Sequence, residues 1–240
     1  MNFIFKKIGI TFTDKWNSSD IAFTDLFKAT SYKGGYTTPP YSYLLFKEKK
    51  RSIRNNLQDD IEIIWKGLKK NTRNEINKIS QQNPSFELNK IPEENFIIFY
   101  NKFVEDKKLN LPLMSKERLR KYKDNITYTS TTLNNNWCSI HVYLCIGDYV
   151  ELLYSITNSE MEYKITGMIN RFHHWNDFKF LKENKFNTYD WGGIAFGELD
   201  GISKFKFSFG GYETIYPIYY SPLYFITLFF KRIIKNEKNN

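Results

Sequence analysis

Cysteine and histidine are scarce in this 240-residue chain, with two of the first and three of the second. Cys138 and Cys145 fall seven positions apart in a segment that reads as one strand, so their side chains point to opposite faces and sit too far apart to bridge. No disulfide framework is expected, and packing within a strand accounts for both thiols. Three histidines without a Cys/His cluster give no basis for a structural zinc site, and no metal is expected. No window approaches the roughly 18 uninterrupted apolar residues of a membrane span. The opening MNFIFKKIGITF is too short for a signal peptide and lacks a small-residue cleavage site, so the expected location is cytoplasmic.

What the chain has in quantity is rings and positive charge. Trp, Tyr and Phe make up 18% of residues and apolar residues 41%, enough to fill a sizeable core and to exclude a disordered or low-complexity protein. Lys and Arg outnumber Asp and Glu by 35 to 26, a formal charge of +9. The excess is local. Lys47, Lys49, Lys50, Arg51 and Arg54 surround Glu48; Lys66, Lys69, Lys70, Arg73 and Lys78 surround Glu75; Lys231, Arg232, Lys235 and Lys238 surround Glu237. Outside these three clusters the chain is slightly acidic. Such clusters suit phosphate-bearing partners, nucleic acid or a phosphorylated small molecule, although a solvated face explains any single run equally well.

Residues 1–46 mix short apolar runs with turn signals, including Lys33-Gly34-Gly35-Tyr36 and the helix-forbidding pair Pro39-Pro40. From Asp59, Ile61, Ile64, Trp65, Leu68, Ile76 and Ile79 recur as one helical stripe, and a second helix opens at Pro92 and runs through Phe96, Phe99, Tyr100 and Phe103. Residues 126–132, 137–146 and 149–157 then change to a sheet period, punctuated by Asn134-Asn135-Asn136 and Gly147-Asp148, which predicts an antiparallel meander. A helix from about Met168 to Asn184, a short strand over 187–191, a strand near 214–219 and a basic helix from Pro222 complete the chain. The order predicts an α+β sandwich around one central sheet.

Three places carry candidate chemistry. Lys164-Ile165-Thr166-Gly167 precedes the helix that follows a strand, where unpaired N–H groups and the helix dipole would bind phosphate; an ordinary N-terminal turn capped by Thr166 or Gly167 is the plainer reading. Along that helix Asn170, His174 and Asp177 share a polar stripe opposite the apolar Met168, Phe172, Trp175, Phe178 and Leu181. His174 suits proton transfer if it faces a cleft, and His173 is the weaker candidate. In Tyr189-Asp190-Trp191-Gly192-Gly193, Asp190 reads either as a general base with a raised pKa or as a structural aspartate holding the loop.

Taken together, Gly167-x-x-Asn170-Arg171-x-x-His174-Trp175-x-Asp177, then Tyr189-Asp190-Trp191-Gly192-Gly193-Ile194, then Gly201-Ile202-x-x-Phe205-Lys206 with Phe209-Gly210-Gly211 resemble the FemAB-like branch of the GNAT acyltransferase superfamily. Trp65-x-x-Leu68-x-x-x-Thr72-Arg73-x-x-Ile76 resembles that branch's first helix, and Tyr36-Thr37-Thr38-Pro39-Pro40 a lead-in of its sugar-modifying members. The resemblance spans roughly residues 25–220. It implies a GNAT fold, α+β, with a mostly antiparallel sheet splayed between its fourth and fifth strands, helices on both faces, an N-terminal segment 1–58 on the acceptor side and a core over 59–240. It implies acyl-CoA as co-substrate and a dTDP-linked 3-amino-3,6-dideoxyhexose as acceptor, for surface polysaccharide synthesis. Only half of the usual pyrophosphate loop is present, as Lys164-x-x-Gly167.

On that basis Asp190, His174 and Glu151 are the expected bases. Lys164, Thr166, Gly167, Asn170, Lys206 and Tyr212 are expected on the cofactor, with Lys206 or Tyr212 beside the leaving thiolate. Tyr32, Lys33, Tyr36, Tyr41 and Trp191 are expected on the acceptor. Two alternatives stand beside this reading: an aminoacyl-tRNA-dependent transferase of the FemAB type, and a non-enzymatic nucleic-acid-binding module using the basic clusters. Stable nucleic-acid binding is not expected on the first reading, and monomer and homodimer are both left open.

Overall fold

The computed structural model describes residues 1–7, 9–18, 22–34, 41–194 and 201–237. In chain order they form β1 (Asn2–Lys7), β2 (Ile10–Trp16), β3 (Ala29–Lys33), β4 (Phe46–Asn56), α1 (Ile61–Gly67), α2 (Lys70–Ser80), β5 (Ser85–Leu88), α3 (Glu93–Asp106) and α4 (Lys116–Arg120). Then follow β6 (Ile126–Leu133), β7 (Asn136–Ile146), β8 (Tyr149–Thr157), α5 (Tyr163–Glu183), β9 (Thr188–Asp190), α6 (Gly201–Phe207), β10 (Tyr212–Tyr220) and α7 (Pro222–Glu237). The chain divides into a larger unit, Ser52–Thr214, and a smaller one in which Met1–Arg51 groups with the segment from Ile215 onward. The C-terminal helix thus belongs with the N-terminal strands rather than with the core over 59–240.

In the larger unit the strands lie in the order β4-β9-β8-β7-β6-β5, antiparallel throughout except for the parallel pair β8–β9. The meander falls where the period-2 pattern puts it. Asn134 and Asn135 take φ of 51° and 62° in the β6–β7 turn, the left-handed conformation that asparagine tolerates best among residues with a side chain. One face of the sheet packs Tyr143, Val150, Leu152 and Tyr189 against Ile64 and Leu68 near α1, Ile76 of α2, and Phe178 and Leu181 of α5. The other packs Ile140, Val142 and Ile156 against Phe96, Tyr100 and Val104 of α3. The β7–β8 register slips so that Val142 faces Tyr154 and Tyr143 faces Leu152, which leaves Leu153 as the extra residue of a bulge and bends β8.

The single helix expected from Asp59 is two helices. Leu68 and Lys69 are extended, and Arg73 Nη1 donates to the carbonyls of Lys66 and Leu68, each at 2.7 Å, taking up the orphaned end of α1. Lys69 N–H bonds to the Ser208 carbonyl at 2.9 Å, so a turn more than a hundred residues away stabilises the break. α5 begins at Tyr163, five residues before the expected start, because the turn after β8 is short.

The smaller unit has the strand order β1-β2-β3-β10, with β2–β3 parallel and its other pairs antiparallel. Three of these strands lie in the region whose turn signals obscured its period. Asp14 is fully buried there and accepts from Ser31 at 2.6 Å, Lys33 at 2.8 Å and Tyr224 at 3.0 Å. The Tyr36–Pro40 lead-in lies outside the described residues.

Gly210 has φ of +77°, and a Cβ there would run into the carbonyl of Gly67. Gly210→Ala is expected to cost about 1–3 kcal/mol, read as a lower urea midpoint at unchanged slope; an unchanged midpoint would show that the Gly67–Gly210 contact is not required.

Candidate active site

Three neighbouring strands of the larger unit align a row of polar side chains. Asp190, the last residue of β9, is in register with Arg54 of β4 on one side and Glu151 of β8 on the other. Its carboxylate is fully buried and accepts from Ser52 Oγ at 2.5 Å, Arg54 Nε at 2.8 Å and the Gly192 amide at 2.9 Å. The Arg54 guanidinium lies 5.4 Å from the Tyr149 ring centroid, and the Tyr149 hydroxyl donates to Glu151 at 3.1 Å. Ser52 and Arg54, like Tyr149 and Glu151, are two apart on a strand and so share the Asp190 face.

At this row the sheet opens. β9 pairs with β8 at three positions and the ladder ends at Glu151–Asp190, whereas β8 continues beside β7 to Thr157. Among the described residues no strand pairs with β8 on the β9 side beyond Glu151. Gly192 follows directly with φ of +77°, and a Cβ there would strike the Leu152 carbonyl, so only glycine fits at the mouth. This is the splay expected of the fourth and fifth strands.

Glu151 thus stands at the base of the opening. Several other expectations need correction. Asp190 is not a free base: it is the anion of a buried ion pair that also accepts from Ser52 and the Gly192 amide. Lys164, Thr166 and Gly167 form no cradle before a helix, because α5 is already under way. Thr166 N–H bonds to Glu162 O at 2.9 Å, and the Gly167 carbonyl accepts from Arg171 at 3.1 Å. Lys206 Nζ is held by the carbonyls of Trp191 at 2.8 Å and Gly193 at 2.7 Å, fixing the loop instead of awaiting a thiolate. Tyr212 opens β10 and is 55% exposed.

The residues expected on the acceptor are mostly engaged inside the fold. Trp191 is buried and donates to Asn55 at 2.8 Å. Tyr32 is buried with its hydroxyl on Asp25 at 3.2 Å, Lys33 pairs with Asp14, and Tyr41 packs edge-on to Phe23 at 5.4 Å. Trp191 and Tyr32 thus present no face for a nucleotide base. Tyr36 lies outside the described residues.

His174 does not face a cleft either. The polar stripe of α5 points into the sheet, where all three histidines of the chain meet one carboxylate, and this gathering was not read from the sequence. Asp177 accepts from Thr129 at 2.7 Å and Tyr143 at 2.6 Å, and lies 2.6 Å from His141 Nδ1. His141 Nε2 is 2.9 Å from Asn170 Oδ1, so Asn170 serves this cluster rather than a cofactor. The His141 ring is stacked between His173, 3.7 Å away, and His174, 4.1 Å away. Ligand atoms of His141, His173 and Asp177 fall within 4.8 Å of one another. Rings parallel to within 8° direct their lone pairs side by side rather than to a common point, so the group is hydrogen-bonded rather than shaped to coordinate a metal.

Burial pushes His173 and His174 well below the usual histidine pKa, and neighbouring positive groups push the same way, His141 first in both cases. Burial alone would raise Asp177, but the facing His173 and His141 and the bonds from His141 and Tyr143 outweigh it and hold the carboxyl below its ordinary value.

No protein-family model matches the sequence, and no characterised protein matches it in sequence. Solved structures match in fold. FemX superposes with a TM-score of 0.66 at 8% identity, covering 94% of this chain and 85% of that one. At this identity the likeness is one of fold. L-PGS from Bacillus licheniformis gives 0.59 at 8% identity over 90% of this chain and 79% of that one, and a DUF2156 domain from Agrobacterium fabrum 0.57 at 9% over 81% and 68%.

Two outcomes follow from the buried charges. Arg54→Met strands the Asp190 carboxylate and is expected to cost about 3–5 kcal/mol in urea unfolding, most of it recovered in Arg54→Met/Asp190→Leu; full stability of the single variant would mean that the pair is not needed. Unfolded histidines take up protons below about pH 6.5, whereas the depressed His173 and His174 do not, so the stability these two rings contribute is complete above that pH and is lost as pH falls through it. Two such groups give a slope of up to about 2.7 kcal/mol per pH unit. Unfolding measured from pH 7.5 to 5 is expected to show it, and His173→Asn to reduce it; a flat profile would contradict neutral, buried rings.

Proposed function

We propose that the protein is an acyltransferase whose reaction takes place at the β8–β9 opening, moving an acyl group to an amine. The observation that carries this is the end of the ladder at Glu151–Asp190. A strand whose N–H groups lose their sheet partners offers donors to the oxyanion of a tetrahedral intermediate, and Glu151 at that point is placed to take the proton of the attacking amine. Asp190, with Ser52 and Arg54, keeps the end of β9 in position beside it. The likeness to FemX supports the fold and not the substrate.

For the donor and acceptor we propose acyl-CoA and a dTDP-linked amino-dideoxy sugar, supported by the motif resemblance. An aminoacyl-tRNA donor is the second reading. One finding favours it: the expected pyrophosphate cradle at Gly167 is helix interior.

Incubation with acetyl-CoA or hydroxybutyryl-CoA and a dTDP-amino sugar, with thiol release and acylated sugar followed by mass spectrometry, tests the first donor. Aminoacyl-tRNA tests the second. Glu151→Gln is expected to lower kcat by roughly 10²-fold with intact folding. Turnover with neither donor, together with tight, steeply salt-dependent RNA binding, would replace this reading by the nucleic-acid module.

A further inference from the structure

The proposed reaction uses none of the three histidines, yet they occupy the centre of the larger unit. Assigning one proton to each hydrogen bond orders the cluster. Thr129 gives its hydroxyl proton to Asp177, so its oxygen receives the Nε2–H of His173 at 2.9 Å, and His173 Nδ1 accepts from Ser139 at 2.6 Å. Tyr143 gives its proton to Asp177, so its oxygen accepts from Tyr189 at 3.2 Å, and the Tyr189 oxygen receives Nδ1–H of His174 at 3.1 Å. With burial holding both rings well below the usual histidine range, His173 and His174 are neutral. His141 has a carboxylate oxygen at one ring nitrogen and an amide oxygen at the other, so both nitrogens carry hydrogen. A carboxylate with no exposure requires a counter-charge, and two neutral rings stacked on either side of His141 favour a cation between them.

We propose that His141 is a resident imidazolium paired with Asp177, and that this pair, through Tyr143 and Tyr189, positions β9 so that Asp190 and Gly192 stand at the mouth of the opening. Its bearing on catalysis rests on the acyl-transfer reading above. Tyr189 and Asp190 are consecutive and point to opposite faces, so the bond on the Tyr189 hydroxyl sets where the Asp190 carboxylate lies on the other side. Trp191 continues the contact, its ring 4.6 Å from His174. Trp191, Phe205 and Phe209 close around His174, which makes the chain of bonds a means of placement rather than a route for protons. The titratable groups facing His141 are His173, His174 and Asp177 from α5, Tyr143 from its own strand and Tyr189 from β9, while β6 contributes the Thr129 hydroxyl.

Long-range nitrogen–proton spectra of the labelled full-length chain at about pH 7.5, assigned with His141→Gln, His173→Asn and His174→Asn, read the charge directly. Two protonated nitrogens on His141, one on His173 at Nε2 and one on His174 at Nδ1 are expected; three neutral rings would overturn the proposal. Amide exchange at Gly192 and Gly193, whose N–H groups bond to Asp190 and Ser52, reads the positioning. Tyr189→Phe is expected to speed exchange there by about tenfold, while His173→Asn, on the branch away from β9, changes it by less than about threefold at a comparable loss of Tm. Equal acceleration in both variants would mean general loosening and would sink the positioning role. Neither measurement needs a substrate, so a failed acyl-transfer assay leaves them standing, and the wild-type spectrum and Tyr189→Phe decide the matter even if His141→Gln does not fold.

Discussion

A carboxylate removed from water must be answered by donors, and Asp177 governs how α5 lies on the sheet. Two strands supply those donors: Thr129 from β6, and Tyr143 and His141 from β7. Each bond is short, and each donor has one direction in which to point, so the helix has little freedom to slide or rotate. The apolar stripe supplies attraction without register: Phe178 and Leu181 would pack nearly as well a turn further along, but Asp177 would not meet its donors there.

The same constraint recurs on the opposite face. Asp190 is answered by Ser52, Arg54 and the Gly192 amide, and this ties β4 to the end of β9 and the loop after it at the point where pairing stops. An opening in a sheet exposes backbone donors and loses ladder bonds, so its base has to be held by something other than the ladder. A buried ion pair with further hydrogen bonds does this. The glycine at the mouth completes it, since the Leu152 carbonyl leaves no room for a side chain.

Much of the larger unit was legible because its signals are local. The β6–β8 meander shows period-2 runs separated by Asn-rich and Gly-Asp turns, and α3 opens at a proline in its proper place. The site was legible only in part. Glu151 and Asp190 could be named, but Arg54 sat in a run that reads as a solvated basic cluster, and only its pairing with β9 takes it inside. His141 occupies a polar face of β7 and His174 a polar stripe of α5, and each pattern alone reads as facing water. They face each other instead, and period analysis of one element at a time carries no information about that.

Local patterning by itself determined the α+β class, the meander, the central helix and the absence of a disulfide framework, because turn chemistry and side-chain periodicity act over a few residues. Tertiary structure alone decided which polar groups are buried, where α1 breaks from α2, where the sheet opens, and that the segment from Ile215 joins the N-terminal strands. These depend on partners far apart in sequence: Arg54 and Asp190 are 136 residues apart, and His141 and Asp177 are 36 apart. The cost of burying a charge is settled only when its partner arrives.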